Sequence, residues 1–73
     1  MEARSAVELL IDIIERDSDR MGVTIDTTFD SLGIDSLDYL LIIQDVRREI
    51  GPVTDAQAYK VTTVGELLKV FQP

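Results

Sequence analysis

The stretch Leu32-Gly33-Ile34-Asp35-Ser36-Leu37-Asp38-Tyr39-Leu40-Leu41-Ile42-Ile43-Gln44-Asp45-Val46-Arg47-Arg48-Glu49-Ile50 decides the fold of this chain. Asp35 has the side chain of a helix N-cap, and Asp38 places an acid in the first turn. Gly51-Pro52 stops the run after Ile50. At about 100° per residue, Tyr39, Ile43, Val46 and Ile50 fall in one sector with Ile42 at its border, and this is the expected core face. Leu37, Leu41, Gln44 and Arg48 fall in a sector almost directly opposite, flanked by Leu40 and Arg47. The helix therefore has one apolar face for the interior and an exposed leucine stripe that begins beside Ser36.

Upstream of this helix, residues 22–34 carry no helical period. A connection of that length is long for a small domain, so Val23, Ile25, Phe29, Leu32 and Ile34 are expected to tie it down by burial, with Phe29 as the main anchor. Before it, Val7, Leu10, Ile11 and Ile14 follow the spacing of an amphipathic helix running from about Ser5 to Asp17. Ser5 and Glu8 make a capping box, and Ser18, Asp19 and Gly22 weaken the helix at its end. After Gly51-Pro52, Thr54 or Asp55 caps a short helix through Tyr59. Thr63-Val64-Gly65-Glu66 is a further capping box that opens a last helix through Phe71. No segment alternates as a strand. The expectation is an all-α, four-helix bundle with a short third helix and a long loop between helices one and two, formed by residues 1–73 as a single domain.

Composition removes several function classes. Of 73 residues, 33 are apolar, and there is no cysteine, histidine or tryptophan. Disulfide frameworks, Cys/His zinc sites and catalytic triads built on imidazole or a protein thiol are excluded. The net charge is −7 and unevenly spread. Residues 1–45 hold eleven acidic and three basic side chains, whereas residues 46–73 hold three acidic and four basic. Such a surface repels nucleic acid and suits basic protein partners. No apolar run approaches the roughly 18–20 residues that span a bilayer, and Met1-Glu2-Ala3-Arg4 lacks the order of a signal peptide. A monomeric cytoplasmic protein without enzymatic activity of its own is expected. Asp17-Ser18-Asp19-Arg20-Met21-Gly22 begins like a calcium loop, but Met21 stands where an oxygen ligand is needed and Thr28 where a bidentate Glu is needed, and no metal site is expected.

Ser36 stands at the first position of its helix, just after a glycine-containing turn. The free N–H groups and partial positive charge of a helix start favour an anion there, so a phosphoester on this hydroxyl would be stabilised by the backbone. Leu32-Gly33-Ile34-Asp35-Ser36-Leu37-Asp38 resembles the phosphopantetheine attachment signature of acyl carrier proteins. Phe29 lies upstream in a Phe-x-x-Leu-Gly context, and Thr62-Thr63-Val64-Gly65-Glu66-Leu67 resembles the family's second recurrent stretch. The resemblance covers essentially the whole chain. It implies that Ser36, flanked by Asp35 and Leu37 in the cofactor site, carries 4′-phosphopantetheine. The terminal thiol of that group would hold an acyl chain as a thioester, and the chain could lodge between the helices. The missing cysteine then fits, because the reactive thiol arrives with the cofactor.

The resemblance also implies partners: a phosphopantetheinyl transferase, and enzymes that load and accept acyl groups in fatty-acid, polyketide or specialised lipid synthesis. The stripe from Asp38 through Leu40, Leu41, Gln44, Arg47 and Arg48 is the expected docking face. Carriers of fatty acid synthesis usually present acids along this helix. Here Leu41 and Gln44 are uncharged and Arg47-Arg48 reverse the sign, which points to a dedicated partner set with acidic surface near the two arginines. Two other readings stand beside this one. A peptidyl carrier would typically read Gly-Gly-x-Ser-Leu, although an aminoacyl cargo is compatible with the motif. An unmodified helical interaction module would keep the fold without the arm.

Overall fold

The computed structural model describes residues 5–71. Among these residues there are four helices, α1 (Ala6–Ser18), α2 (Ser36–Glu49), α3 (Asp55–Lys60) and α4 (Val64–Lys69), with one 3-10 turn at Asp30–Leu32. The all-helical class, the short third helix and the long first connection agree with the sequence reading. The 3-10 turn is additional, and α4 ends two residues earlier than expected.

At each helix start a hydroxyl or carboxylate accepts from the third helical amide. Ser5 Oγ accepts from the Glu8 N–H and donates to the Glu8 carboxylate, both at 3.3 Å. Thr54, rather than Asp55, caps α3: its hydroxyl accepts from Gln57 N–H at 3.1 Å, and the Gln57 side chain returns a bond to Thr54 N–H at 2.9 Å. Thr63 Oγ1 accepts from Glu66 N–H at 3.1 Å. The Glu66 carboxylate takes the Thr62 hydroxyl at 2.6 Å, and the threonine donors, Thr62 foremost, hold Glu66 below the usual carboxylate range.

The core is a single cluster in which Leu10, Ile13 and Ile14 of α1 meet Ile42, Ile43 and Val46 of α2 and Val64 and Leu67 of α4. Its arc on α1 is turned toward Ile13 relative to the expected stripe, leaving Val7 and Ile11 half-buried. On α2 the border residue Ile42 is fully buried, while Tyr39 and Ile50 are only partly so. The shift has a packing cause: α1 packs along α2 and Ile42 joins the shared core, whereas Tyr39 lines a cavity.

The long connection is tied down by Val23, Phe29 and Leu32, as expected, and Ile34 is half-buried. Ile25 is a correction, since it is 47% exposed. At that point the main chain supplies the tether. Gly65 N–H donates to Ile25 O at 2.8 Å, Val64 N–H to Thr27 O at 3.0 Å and Phe29 N–H to Thr62 O at 3.0 Å, around an isolated antiparallel bridge between Thr28 and Thr63. Gly65 permits this approach, because a Cβ there would sit 3.0 Å from Ile25 O. Backbone hydrogen bonds thus replace one of the apolar anchors that the sequence suggested.

Candidate functional site

The site is built where the long connection enters α2. Gly33 adopts a left-handed conformation (φ 68°) that closes the 3-10 turn, its N–H donating to Asp30 O at 3.2 Å. The Arg20 guanidinium lies over it, 3.5 Å from where a Cβ would project. Two residues later Asp35 turns to extended backbone and its carboxylate accepts from Asp38 N–H at 2.9 Å, while Asp35 O starts the helix by accepting from Tyr39 N–H at 3.0 Å. This geometry makes Ser36 the first helical residue and leaves the amides of Ser36 and Leu37 as the open donors of the helix end.

The start of α4 makes the contrast plain. There the first two amides, Val64 and Gly65, are consumed by the carbonyls of Thr27 and Ile25, and the third by Thr63. Of these two helix starts, both in contact with the 22–35 segment, that of α4 is filled by the protein and that of α2 is open.

Ser36 is exposed, and among the described residues no group bonds its hydroxyl. It sits on the rim of a cavity of about 280 Å³ lined by Phe29, Asp30, Ile34, Asp35, Ser36, Tyr39, Ala58, Tyr59 and Val61. Asp30, Asp35 and Ser36 supply polar groups, and the rest of the lining is apolar or aromatic. Tyr39 bridges to α3 by donating its hydroxyl to the Ala58 carbonyl, and its ring meets Phe29 edge-on with centroids 5.1 Å apart. Burial, and then the neighbouring Tyr59, push the Tyr39 phenol above its ordinary range, so it remains a proton donor at neutral pH.

Sequence reasoning assigned Tyr39 to the core and did not find Ala58, Tyr59 or Val61 as site residues. One signal was present: a tyrosine at a buried helical position needs a partner for its hydroxyl. The partner, a carbonyl in the last turn of a six-residue helix, is set by tertiary structure alone.

The outer face of α2 is as the helical spacing predicts. Leu37, Leu40 and Leu41 are exposed large apolar residues, Gln44 is exposed and Asp38 is half-buried. The two arginines at its far end are engaged within the molecule. Arg47 donates to Val53 O at 2.8 Å and to Asp55 at 2.7 Å. Arg48 pairs with Asp45 and Glu49, and Arg16 of α1 reaches the same two acids at 3.2 and 3.0 Å. These arginines hold Glu49 below its usual range, Arg16 foremost, while burial lifts Asp17 above its own. Among the described residues no group of acids or other ligands is arranged to hold a metal ion, and no helix is long and apolar enough to cross a membrane.

Comparison with known proteins bears directly on this site. Among curated proteins, none matches the chain. A family model described as a phosphopantetheine attachment site matches residues 5–71, which takes in all four helices, the cavity and the open start of α2. The chain therefore belongs to the phosphopantetheine attachment-site family, the carrier domains to which 4′-phosphopantetheine is joined.

Proposed function

We propose that Ser36 is the attachment residue and that residues 1–73 act as one carrier domain for acyl groups in fatty-acid, polyketide or specialised lipid synthesis. The observation that carries this reading is the unbonded, exposed hydroxyl at the first position of α2, on the rim of a largely apolar cavity. In the loading step the Ser36 oxygen forms a bond to phosphorus of coenzyme A. The bond from that phosphorus to the adenosine bisphosphate breaks, and the serine proton passes to a base of the transferase. The amides of Ser36 and Leu37 and the positive end of α2 then face the new phosphodiester. Asp30 and Asp35 on the same rim repel it, which favours a position over the helix end. The attached group supplies the thiol that the chain lacks, and its phosphate takes the formal charge from −7 to about −8.

The apolar part of the lining, Phe29, Ile34, Ala58 and Val61, favours an acyl over an aminoacyl cargo. For docking we assign the exposed stripe of Leu37, Leu40, Leu41 and Gln44, with Asp38 at its near end and Arg47 and Arg48 at its far end. Arg48 has the larger share of the cationic contribution. It is 69% exposed, whereas Arg47 would have to give up its bonds to Val53 and Asp55.

Mass spectrometry tests the central point. Incubation with coenzyme A and a promiscuous phosphopantetheinyl transferase should add one phosphopantetheine to the protein and nothing to Ser36→Ala. An unchanged mass with several transferases would overturn the assignment and leave the unmodified interaction module as the surviving reading.

A further inference from the structure

We propose that Tyr39 is the stop at the inner end of the Ser36 cavity, confining it to short acyl groups unless the Tyr39–Ala58 hydrogen bond is broken. This rests on the carrier reading and adds a limit on cargo to it.

The cavity lies against one side of the main core. Its lining comes from the 29–36 segment, Tyr39 and residues 58–61, and includes none of the core residues Leu10, Ile13, Ile14, Ile42, Ile43, Val46 or Leu67. Phe29, Ile34, Tyr39, Ala58 and Val61 stand at this boundary, since each lines the cavity and also packs against or belongs to the core cluster. The Phe29–Tyr39 edge-to-face pair forms part of the cavity wall on the side of the core. To pass beyond it, an acyl chain must separate α2 from α3 at the point where Tyr39 joins them.

That joint has a definite physical cost. Ala58 lies in the last turn of α3, where carbonyls have no acceptor role left within the helix. The Ala58 residue is buried, and its carbonyl accepts from the Tyr39 hydroxyl. Displacing the ring strands a buried carbonyl as well as removing an aromatic contact. An apolar cavity of roughly 150 Å³ holds a benzene-sized molecule, so about 280 Å³ with Tyr39 in place has room for a short chain.

The experiment is a chain-length series. Wild-type protein and Tyr39→Phe are each loaded enzymatically with phosphopantetheine and with its butyryl and dodecanoyl thioesters, and every load is verified by mass. Tm is then compared with that of the unacylated loaded form, and nuclear Overhauser contacts from the chain are recorded. In wild type, butyryl should raise Tm by several degrees and show contacts to Ile34 and Val61. Dodecanoyl should raise it no further and show no contact to Ile43 or Val46. In Tyr39→Phe, dodecanoyl should raise Tm beyond butyryl and reach Ile43. The wild-type series stands by itself should Tyr39→Phe fold poorly. Deep contacts of dodecanoyl in wild type, or no stabilisation by either chain on a correctly loaded protein, overturn the stop and leave the carrier assignment intact. A protein that gains no mass at all overturns both.

Discussion

The tripeptide Asp-Ser-Leu occurs twice in this chain, at Asp30-Ser31-Leu32 and again at Asp35-Ser36-Leu37, and the two copies have opposite fates. The first forms a single 3-10 turn. Its serine hydroxyl donates to Thr28 O at 2.7 Å, and its leucine is only 6% exposed in the core. The second starts a fourteen-residue helix, with an unbonded hydroxyl and a leucine that is 71% exposed. The residues are identical, so the difference lies in their surroundings. Ser31 is spent on local structure, Leu32 anchors the loop, and Ser36 and Leu37 are held out by the helix that begins at them.

Substitutions can break this comparison pair by pair. The largest effect is expected at the leucines. Leu32→Ala should cost about 2–5 kcal/mol in denaturant unfolding, whereas Leu37→Ala should stay within about 0.5 kcal/mol and instead slow partner reactions of the loaded protein. Equal destabilisation by the two would contradict the assigned roles. The aspartates should come next. Asp35→Ala removes the cap of α2 and should cost about 1 kcal/mol, while Asp30, which caps nothing through its side chain, should change stability by less than about 0.5 kcal/mol when replaced by Ala.

The smallest effect is a pH dependence that sharpens how the first copy is held. Glu66, through Thr62 and Thr63, supports the α4 start to which residues 25–29 are tied. Its folded pKa lies below the ordinary 4.5, so its contribution is present above that value and is lost as pH falls through the lower folded one. Acid should therefore loosen this tether, and Thr62→Ala should remove part of the acid-side slope in a pH series of melting curves. Asp17 works in the other sense. Its folded pKa lies above the ordinary 3.8, so its contribution is greatest in acid and is lost as pH rises through the raised value. A steeper acid slope in Thr62→Ala would contradict the role given to Glu66.

Much of this was legible in the sequence because it depends on local rules. The cap at Asp35, the stop at Gly51-Pro52 and the outward stripe of α2 follow from helix periodicity and capping chemistry. What local rules could not supply was the partner across space. Ile25 looked like an anchor because it is apolar, yet its carbonyl does the anchoring through Gly65. Tyr39 looked like core and does pack against it, yet it also lines a cavity and reaches a carbonyl on α3. Arg47 and Arg48 were legible as the basic end of the α2 stripe, and only the folded chain brings Val53, Asp55, Asp45 and Glu49 to them. Each of these depends on which backbone or charged group the tertiary fold delivers.

The most direct test is to find where the added mass lies. Cleavage after Arg20 and Arg47 should release residues 21–47, a peptide that contains both Asp-Ser-Leu copies. Fragmentation of the loaded peptide should place one phosphopantetheine on Ser36, with Ser31 unmodified and Ser31→Ala loaded as fully as wild type. A phosphopantetheine on Ser31, or loading that survives Ser36→Ala, would contradict the account.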